Sequence, residues 1–123
     1  MIDLVAVHAA LVAAGASVQG VRGYDNPGAL FDPPAWLVSP PRLDWNTYST
    51  GLPASAHFVG FLMVKADDRA VRQLERLAVL VGQAVYAAQD VDAVISGPAF
   101  PGVWRTGTTE LPSYEFPIEV SLT

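Results

Sequence analysis

The chain has 123 residues and a mass of 13.1 kDa, the size of one domain with one core, so we expect a single domain over residues 1–123. Apolar residues make up 51% of it and charged residues only 15%, which excludes an intrinsically disordered chain and predicts that part of the surface contacts another subunit. The net charge of −5 argues against a protein that binds nucleic-acid phosphates, and the absence of cysteine excludes disulfides, thiolate catalysis and zinc ribbons and suits a cytosolic protein.

The N-terminal segment is apolar, but Asp3 stands where a secretion signal needs positive charge, so we expect no signal peptide. Its apolar residues recur at helical spacing and predict a helix that stops at Gly15. The face expected to be apolar carries Leu4, Val5, His8, Leu11 and Val12.

Short strands and an ordered loop are predicted next. Residues 17–24 read as a strand, and residues 25–34 have turn chemistry around the apolar pair Leu30 and Phe31, which we expect to pin the loop. The segment 36–38 reads as a strand, and the prolines flanking it favour an edge position because proline cannot donate to a central ladder.

Residues 42–53 suit a strand that continues into a hairpin or loop. Residues 54–66 are apolar on both alternating faces, which predicts a central strand covered on both sides. Asp67 and Asp68 are expected to cap a long helix that continues to about Ala88. Its apolar stripe holds Val71, Leu74, Leu77, Ala78, Leu80, Val81, Ala84 and Val85, and its polar face holds Arg69, Arg72, Gln73, Glu75, Arg76 and Gln83.

The C-terminal third predicts strands. A short strand or a turn is expected at residues 91–95 and a strand at residues 103–106, separated by a glycine and proline corner, and the end of the chain alternates clearly. There we expect Tyr114, Phe116, Ile118, Val120 and Leu122 to face inward and Ser113, Glu115, Pro117, Glu119 and Ser121 outward. The element order predicts class α+β: a mixed, mainly antiparallel sheet packed with an N-terminal helix and one long central helix.

The residue types that commonly act in catalysis do not occur here in the spacing of a known catalytic motif. Ser55 and His57 share a strand face and are candidates for a hydroxyl beside a base, but the glycines of a nucleophile elbow are missing. His8 fits a structural role on its helix. The pairs Asp67-Asp68 and Asp90-x-Asp92 lack calcium-loop spacing, and Gly20 and Gly23 are not followed by a phosphate-binding helix. We therefore expect no enzyme, cofactor or metal.

Aromatic residues at strand ends and in loops are the candidates for an interface. Trp36 and Trp104 suit either the core or an interface, since tryptophan is enriched in both. The loop with Trp45 and Tyr48 also carries an arginine and a carboxylate that can pair with a neighbouring subunit. The predicted interface residues are Arg42, Asp44, Trp45 and Tyr48.

Six segments across the chain resemble one family: MIDLVAVHAAL at 1–11, VRGYD at 21–25, PPAWLVSPP at 33–41, RLDW at 42–45, MVKADDR at 63–69 and YEFPIEV at 114–120. In their order along the chain and their residue types they resemble the tail terminator proteins of long-tailed, siphovirus-type phages that infect actinobacteria. The resemblance covers nearly the whole chain and carries no catalytic signature.

The resemblance implies a virion structural protein at the head-proximal end of the tail, assembled in the host cytoplasm. Such a protein forms a homohexameric ring on the tail tube, stops further tube subunits from adding, and presents a surface to the head-completion or connector protein. DNA passes through the ring without specific binding, and no membrane is involved. Two alternatives stay open: a head–tail connector, neck or other minor tail protein, and a small enzyme or ligand-binding domain with a pocket between helix and sheet.

Overall fold

The computed structural model describes residues 3–29, 31–45, 51–88 and 91–122 and confirms the α+β class. A mixed, mostly antiparallel sheet of seven strands carries two helices. The elements are α1 (Leu4–Ala16), β1 (Arg22–Tyr24), β2 (Ala35–Val38), β3 (Arg42–Asp44), β4 (Ser55–Met63), α2 (Ala70–Tyr86), β5 (Ala93–Ile95), β6 (Phe100–Thr106) and β7 (Thr109–Ser121). In the described ranges, no helix has both the length and the apolar character that crossing a membrane requires.

The sheet is organised around two long strands, β4 and β7, which pair antiparallel along the whole of β4. On the far side of β4, β2 pairs with residues 60–63 and β3 with residues 55–57, so these two short strands lie end to end. In the same way β5 and β6 share the outer side of β7, and β1 adds to β2 in parallel. The predicted central position of the 54–66 segment is confirmed, but its predicted coverage on both sides is not complete, since His57 and Val59 are only half-buried on the face away from the helices.

The predicted edge position of the 36–38 strand is wrong. Strand β2 lies between β1 and β4, and all four of its residues are buried. Pro40 and Pro41 follow the strand rather than belonging to it, so their missing N–H groups interrupt no ladder. The flanking prolines therefore mark where the strand ends and carry no information about its neighbours.

The predicted apolar face of α1 is largely confirmed: Leu11 is buried, Leu4 and Val12 pack against the core, His8 is half-buried, and only Val5 of the five is exposed. Asp3 is the N-cap and accepts from the backbone N–H groups of Val5 and Ala6, which fixes the start of the helix. Val7, Leu11 and Gly15 are buried, whereas Val5 is 78% exposed. The sequence missed Val7 and Gly15, which lie at helical spacing from Leu11 on the same face. Gly15 is not the stop either, since the helix continues to Ala16.

Helix α2 is amphipathic as predicted, with small corrections. It buries Leu74, Leu77, Val81 and Val85, but Val71 and Leu80, expected in the apolar stripe, are 67% and 42% exposed. The helix ends at Tyr86, before the predicted Ala88. At its start, Asp67 Oδ1 accepts from the backbone N–H of Arg69 at 2.9 Å, so the predicted acidic cap acts just ahead of the helix.

The main core lies between the two helices and one face of the sheet. The C-terminal alternation contributes to it as predicted, with Phe116, Ile118 and Val120 buried and Tyr114 and Leu122 packed against them. Trp36 is fully buried at the centre, where its indole Nε1 donates to the Leu11 carbonyl oxygen at 3.1 Å. This layer is filled by packed side chains. Its largest fully buried members are Trp36, Phe58, Leu11, Leu62 and Ile118.

A second cluster covers part of the opposite sheet face. Leu37, Met63 and Leu111 are buried there under aromatic side chains that include Tyr24, Phe31, Phe61 and Trp104. Phe31 stands edge-on to both Tyr24 and Trp104, with ring centroids 5.0 and 5.8 Å apart, so the predicted pinning of the loop by Phe31 is confirmed. Leu30 lies outside the described residues. Ser113, expected to face solvent, is 5% exposed because it shares the covered face with Met63 and Leu111.

Candidate functional site

A polar cluster lies where β3 pairs with β4. The strand register sets Arg42 opposite His57 and Asp44 opposite Ser55, so all four side chains share one sheet face. His57 Nε2 lies 2.7 Å from Asp44 Oδ2 and 3.3 Å from Ser55 Oγ. Arg42 Nη2 lies 3.3 Å from the same Asp44 oxygen. The cluster therefore contains the serine, histidine and aspartate of a hydrolase triad, and its geometry decides whether they can act as one.

The geometry does not fit a triad. In a triad one imidazole nitrogen takes the proton of the nucleophile while the carboxylate holds the other nitrogen. Here Ser55 Oγ and Asp44 Oδ2 both approach Nε2 of His57, so the hydroxyl and the carboxylate share one nitrogen. Asp44 is also half-exposed and bound by Arg42. The arrangement is that of a surface ion-pair network, which contributes below about 1 kcal/mol per pair.

We predict that this cluster has no nucleophile. Ser55→Ala and His57→Ala should each change the free energy of unfolding by less than about 1 kcal/mol, because the contacts they remove are solvent-accessible. A fluorophosphonate probe should leave the intact protein unlabelled. Urea titration and intact-mass spectrometry measure the two quantities. Stoichiometric labelling that His57→Ala abolishes would establish a catalytic serine and contradict this reading.

Three of the four predicted interface residues fall in the described chain. Arg42 and Asp44 are brought together on β3, as stated above. Trp45 follows directly, is 53% exposed, and its indole Nε1 donates to the Gly51 carbonyl oxygen at 3.1 Å. Tyr48 lies outside the described residues. The contact of Asp44 with His57 was missed from sequence because it depends on the register of β3 on β4, which no local pattern specifies.

The cluster is one end of a larger surface on the face of the sheet away from the helices. We call this the open sheet face and define it by His57 and Val59 on β4, Glu115, Pro117 and Glu119 on β7, Val94 on β5 and Phe100 on β6. Glu119 lies opposite both His57 and Val94, and Glu115 lies opposite Phe100. Phe100 and Val94 are 59% and 44% exposed. The surface thus alternates carboxylates with exposed apolar groups.

A separate cationic surface lies on the outer side of α2. Arg69 directly precedes the helix, and Arg72 and Arg76 lie within it. Their i, i+3 and i+7 spacing places the three side chains on one helix face, and all three are exposed. With Asp67 and Gln73 they line a shallow, open depression. We call these three residues the arginine face. The sequence grouped them on the polar side of this helix, and the structure confirms that placement.

Neither the arrangement of metal-binding side chains nor similarity to known proteins assigns a function to the chain. Over residues 3–29, 31–45, 51–88 and 91–122, no group of three or more His, Asp or Glu side chains is placed to hold a metal ion. Of the acidic pairs considered from sequence, Asp90 lies outside that part of the chain. No protein-family model matches the chain, and no curated protein matches it. The observations that bear on the function of this chain are therefore its sequence resemblance and the chemistry of its surfaces.

Proposed function

We propose that this chain is a structural subunit of a phage tail: the tail terminator, which forms a ring on the head-proximal end of the tail tube. The ring stops tube polymerisation and gives the head-completion protein its attachment surface. The proposal comes from the resemblance of six segments across the chain to tail terminators of actinobacteriophages. The polar cluster on β3 and β4 does not oppose it, because that cluster lacks the arrangement of a catalytic site.

The observation that supports the proposal best is the apolar exposure around the open sheet face. Phe100 on β6 and Val94 on β5 are 59% and 44% exposed on this face. A lone subunit leaves these groups in water, at a cost of about 25 cal/mol for each Å² of apolar surface. Neighbouring subunits in a ring cover such surface, and contact with another subunit is an ordinary reason for large apolar side chains to be exposed on a small domain.

The charge of the chain agrees with a ring through which DNA passes. Each subunit carries a formal charge of −5, so six copies carry 6 × −5 = −30. A strongly acidic ring repels the phosphate backbone and lets DNA move without sticking. The proposed partners are further copies of this chain, the tail tube protein and the head-completion protein, and the proposed location is the virion.

Electron microscopy of a lysate tests this function. Disrupting the reading frame in the phage is expected to give filled heads without tails together with overlong tail tubes, because nothing ends tube growth. Supplying the wild-type chain from a plasmid should restore normal virions. The Ser55→Ala/His57→Ala double variant should restore them equally well.

Other phenotypes separate the alternatives. Detached tails of normal length would identify a head–tail connector and overturn the terminator assignment. Normal particles would rule out a structural role. Because His57 also lies on the open sheet face, only failure of a folded double variant that still self-associates like the wild type would point to chemistry at Ser55 and His57.

A further inference from the structure

The arginine face is unusual because it has no ionic partner among the residues that the structure describes. Arg22, Arg42 and Arg105 each pair with a carboxylate of their own chain: Asp32, Asp44 and Glu110 respectively. Within the described residues, no ion pair is formed by the side chains of the arginine face. An acidic chain that pairs its scattered arginines thus leaves three cations concentrated on one exposed helix surface.

Their position is also unfavourable for the isolated subunit. The N-terminal end of a helix carries the positive end of its dipole, so the cations of Arg69 and Arg72, at the start of α2, oppose the dipole by some tenths of a kcal/mol each. Helix α2 has no acidic residue in its first turn, and Asp67 and Asp68, which directly precede Arg69, are two carboxylates beside three arginines. Binding an anionic surface relieves both this repulsion and that between neighbouring arginines.

The same chain carries a matching acidic surface. Glu115 is exposed and Glu119 half-buried on the open sheet face, and neither is in one of the chain's ion pairs within the described residues. Four residues along a strand separate the two Cα atoms by about 13 Å. Arg69 and Arg76 are about 10 Å apart along the helix axis. These spacings are close enough for flexible arginine side chains to reach both carboxylates.

Apolar groups accompany the charges on both surfaces. Phe100 and Val94 lie beside Glu115 and Glu119 in the strand register. On α2, Val79 and Leu80 lie one turn beyond Arg76 and are 62% and 42% exposed. An interface with buried apolar contacts and charge pairs at its rim is typical of specific association between proteins.

We propose that the arginine face of one copy docks on the open sheet face of a second copy, with its arginines on Glu115 and Glu119. This inference rests on the proposed ring, for which it supplies the subunit contact. The two surfaces are different and lie on opposite sides of the subunit, so the contact is head-to-tail, and repeating it closes a ring or extends a filament. Duplex DNA is the less favoured occupant because the net charge of −5 opposes its approach.

Charge reversal on each surface tests the contact. Variant A carries Arg72→Glu and Arg76→Glu, and variant B carries Glu115→Arg and Glu119→Arg. Each alone is expected to weaken self-association of the full chain at least about tenfold, because like charges then face each other. An equimolar mixture of A and B should associate again. In an assembly that alternates A and B, the new glutamates of A face the new arginines of B at one contact, and the native arginines of B face the native glutamates of A at the next. Analytical ultracentrifugation at about 50 mM and about 500 mM salt measures all four samples, with weaker association expected for the wild type at high salt.

Asp25→Arg is the control variant, and three results would overturn the proposed contact. Asp25→Arg, an exposed change away from both surfaces, should leave association unaltered, and circular dichroism should show the same fold for every variant. A monomeric wild type, association that A and B leave unchanged, or a mixture that stays dissociated would overturn the contact. Binding of a short DNA duplex to the wild type but not to A would instead assign the arginine face to nucleic acid. The phage phenotype tests the terminator function separately from this contact. If the ring assembles through other surfaces, the contact is wrong but the ring still ends tube growth.

Discussion

Gly15→Ala is expected to destabilise the protein by about 2 kcal/mol, although alanine is the better helix former by about 1 kcal/mol. A Cβ at Gly15 would lie 2.2 Å from Cδ1 of Trp36, well inside contact distance. The indole cannot retreat, because its other end meets β4, where a Cβ at Gly60 would lie 2.1 Å from Cη2. Moving it also strains the hydrogen bond from Nε1 to the Leu11 carbonyl. Urea unfolding followed by tryptophan fluorescence and circular dichroism measures the change.

The second helical glycine provides the matched control. A Cβ at Gly82 in α2 would lie 3.4 Å from Ile95 Cδ1, an ordinary contact, so Gly82→Ala is expected to stabilise the protein by up to about 1 kcal/mol. The same substitution in two helices thus has opposite signs. Equal effects at the two positions would show that Trp36 does not occupy the place that the structure gives it.

Phe58→Ala is expected to lower the free energy of unfolding by about 3 to 5 kcal/mol, a large share of the roughly 5 to 15 kcal/mol typical of a domain. Phe58 is 1% exposed on the helix-facing side of β4, and its ring centroid lies 5.4 Å from that of His8. The cavity left by the ring has few ways to collapse, since the surrounding layer is closely packed. Thermal and urea unfolding of the purified variant measure the loss.

Phe100→Ala is the control for that experiment. The same ring is removed from a side chain that is 59% exposed, so the unfolding free energy should change by less than about 0.5 kcal/mol. If the open sheet face is the subunit contact, this variant keeps its monomer stability and loses association. A stable Phe58→Ala protein would mean that the core is not built around β4.

The polar cluster shows why residue types alone do not define a site. From sequence, Ser55 and His57 were a weak candidate because the glycines of a nucleophile elbow are missing. The fold supplies Asp44 through strand pairing, and the three residues then look like a triad by composition. Only the atomic arrangement, with both contacts on Nε2, separates a surface network from a catalytic one. The prediction of no enzyme remains a prediction, and the labelling experiment tests it.

The sequence by itself determined the elements whose pattern is local and strong. Helix α2 could be predicted because its charged residues confine burial to one face, β7 because its apolar residues alternate, and the central position of β4 because both of its faces are apolar. The α+β class follows from their order. The arginine face also came from sequence, since helical spacing is enough to group Arg69, Arg72 and Arg76.

Tertiary structure alone decided the rest, because the deciding contacts join residues far apart in the chain. The burial of Gly15 in α1 depends on where Trp36 meets it, and helical spacing contains no signal for so close an approach. The interior position of β2 depends on β1 arriving in parallel on its outer side. The pairing of Asp44 with His57, and of Glu115 with Phe100, depends on strand register, which the hydrogen-bond ladders fix only once the sheet has assembled.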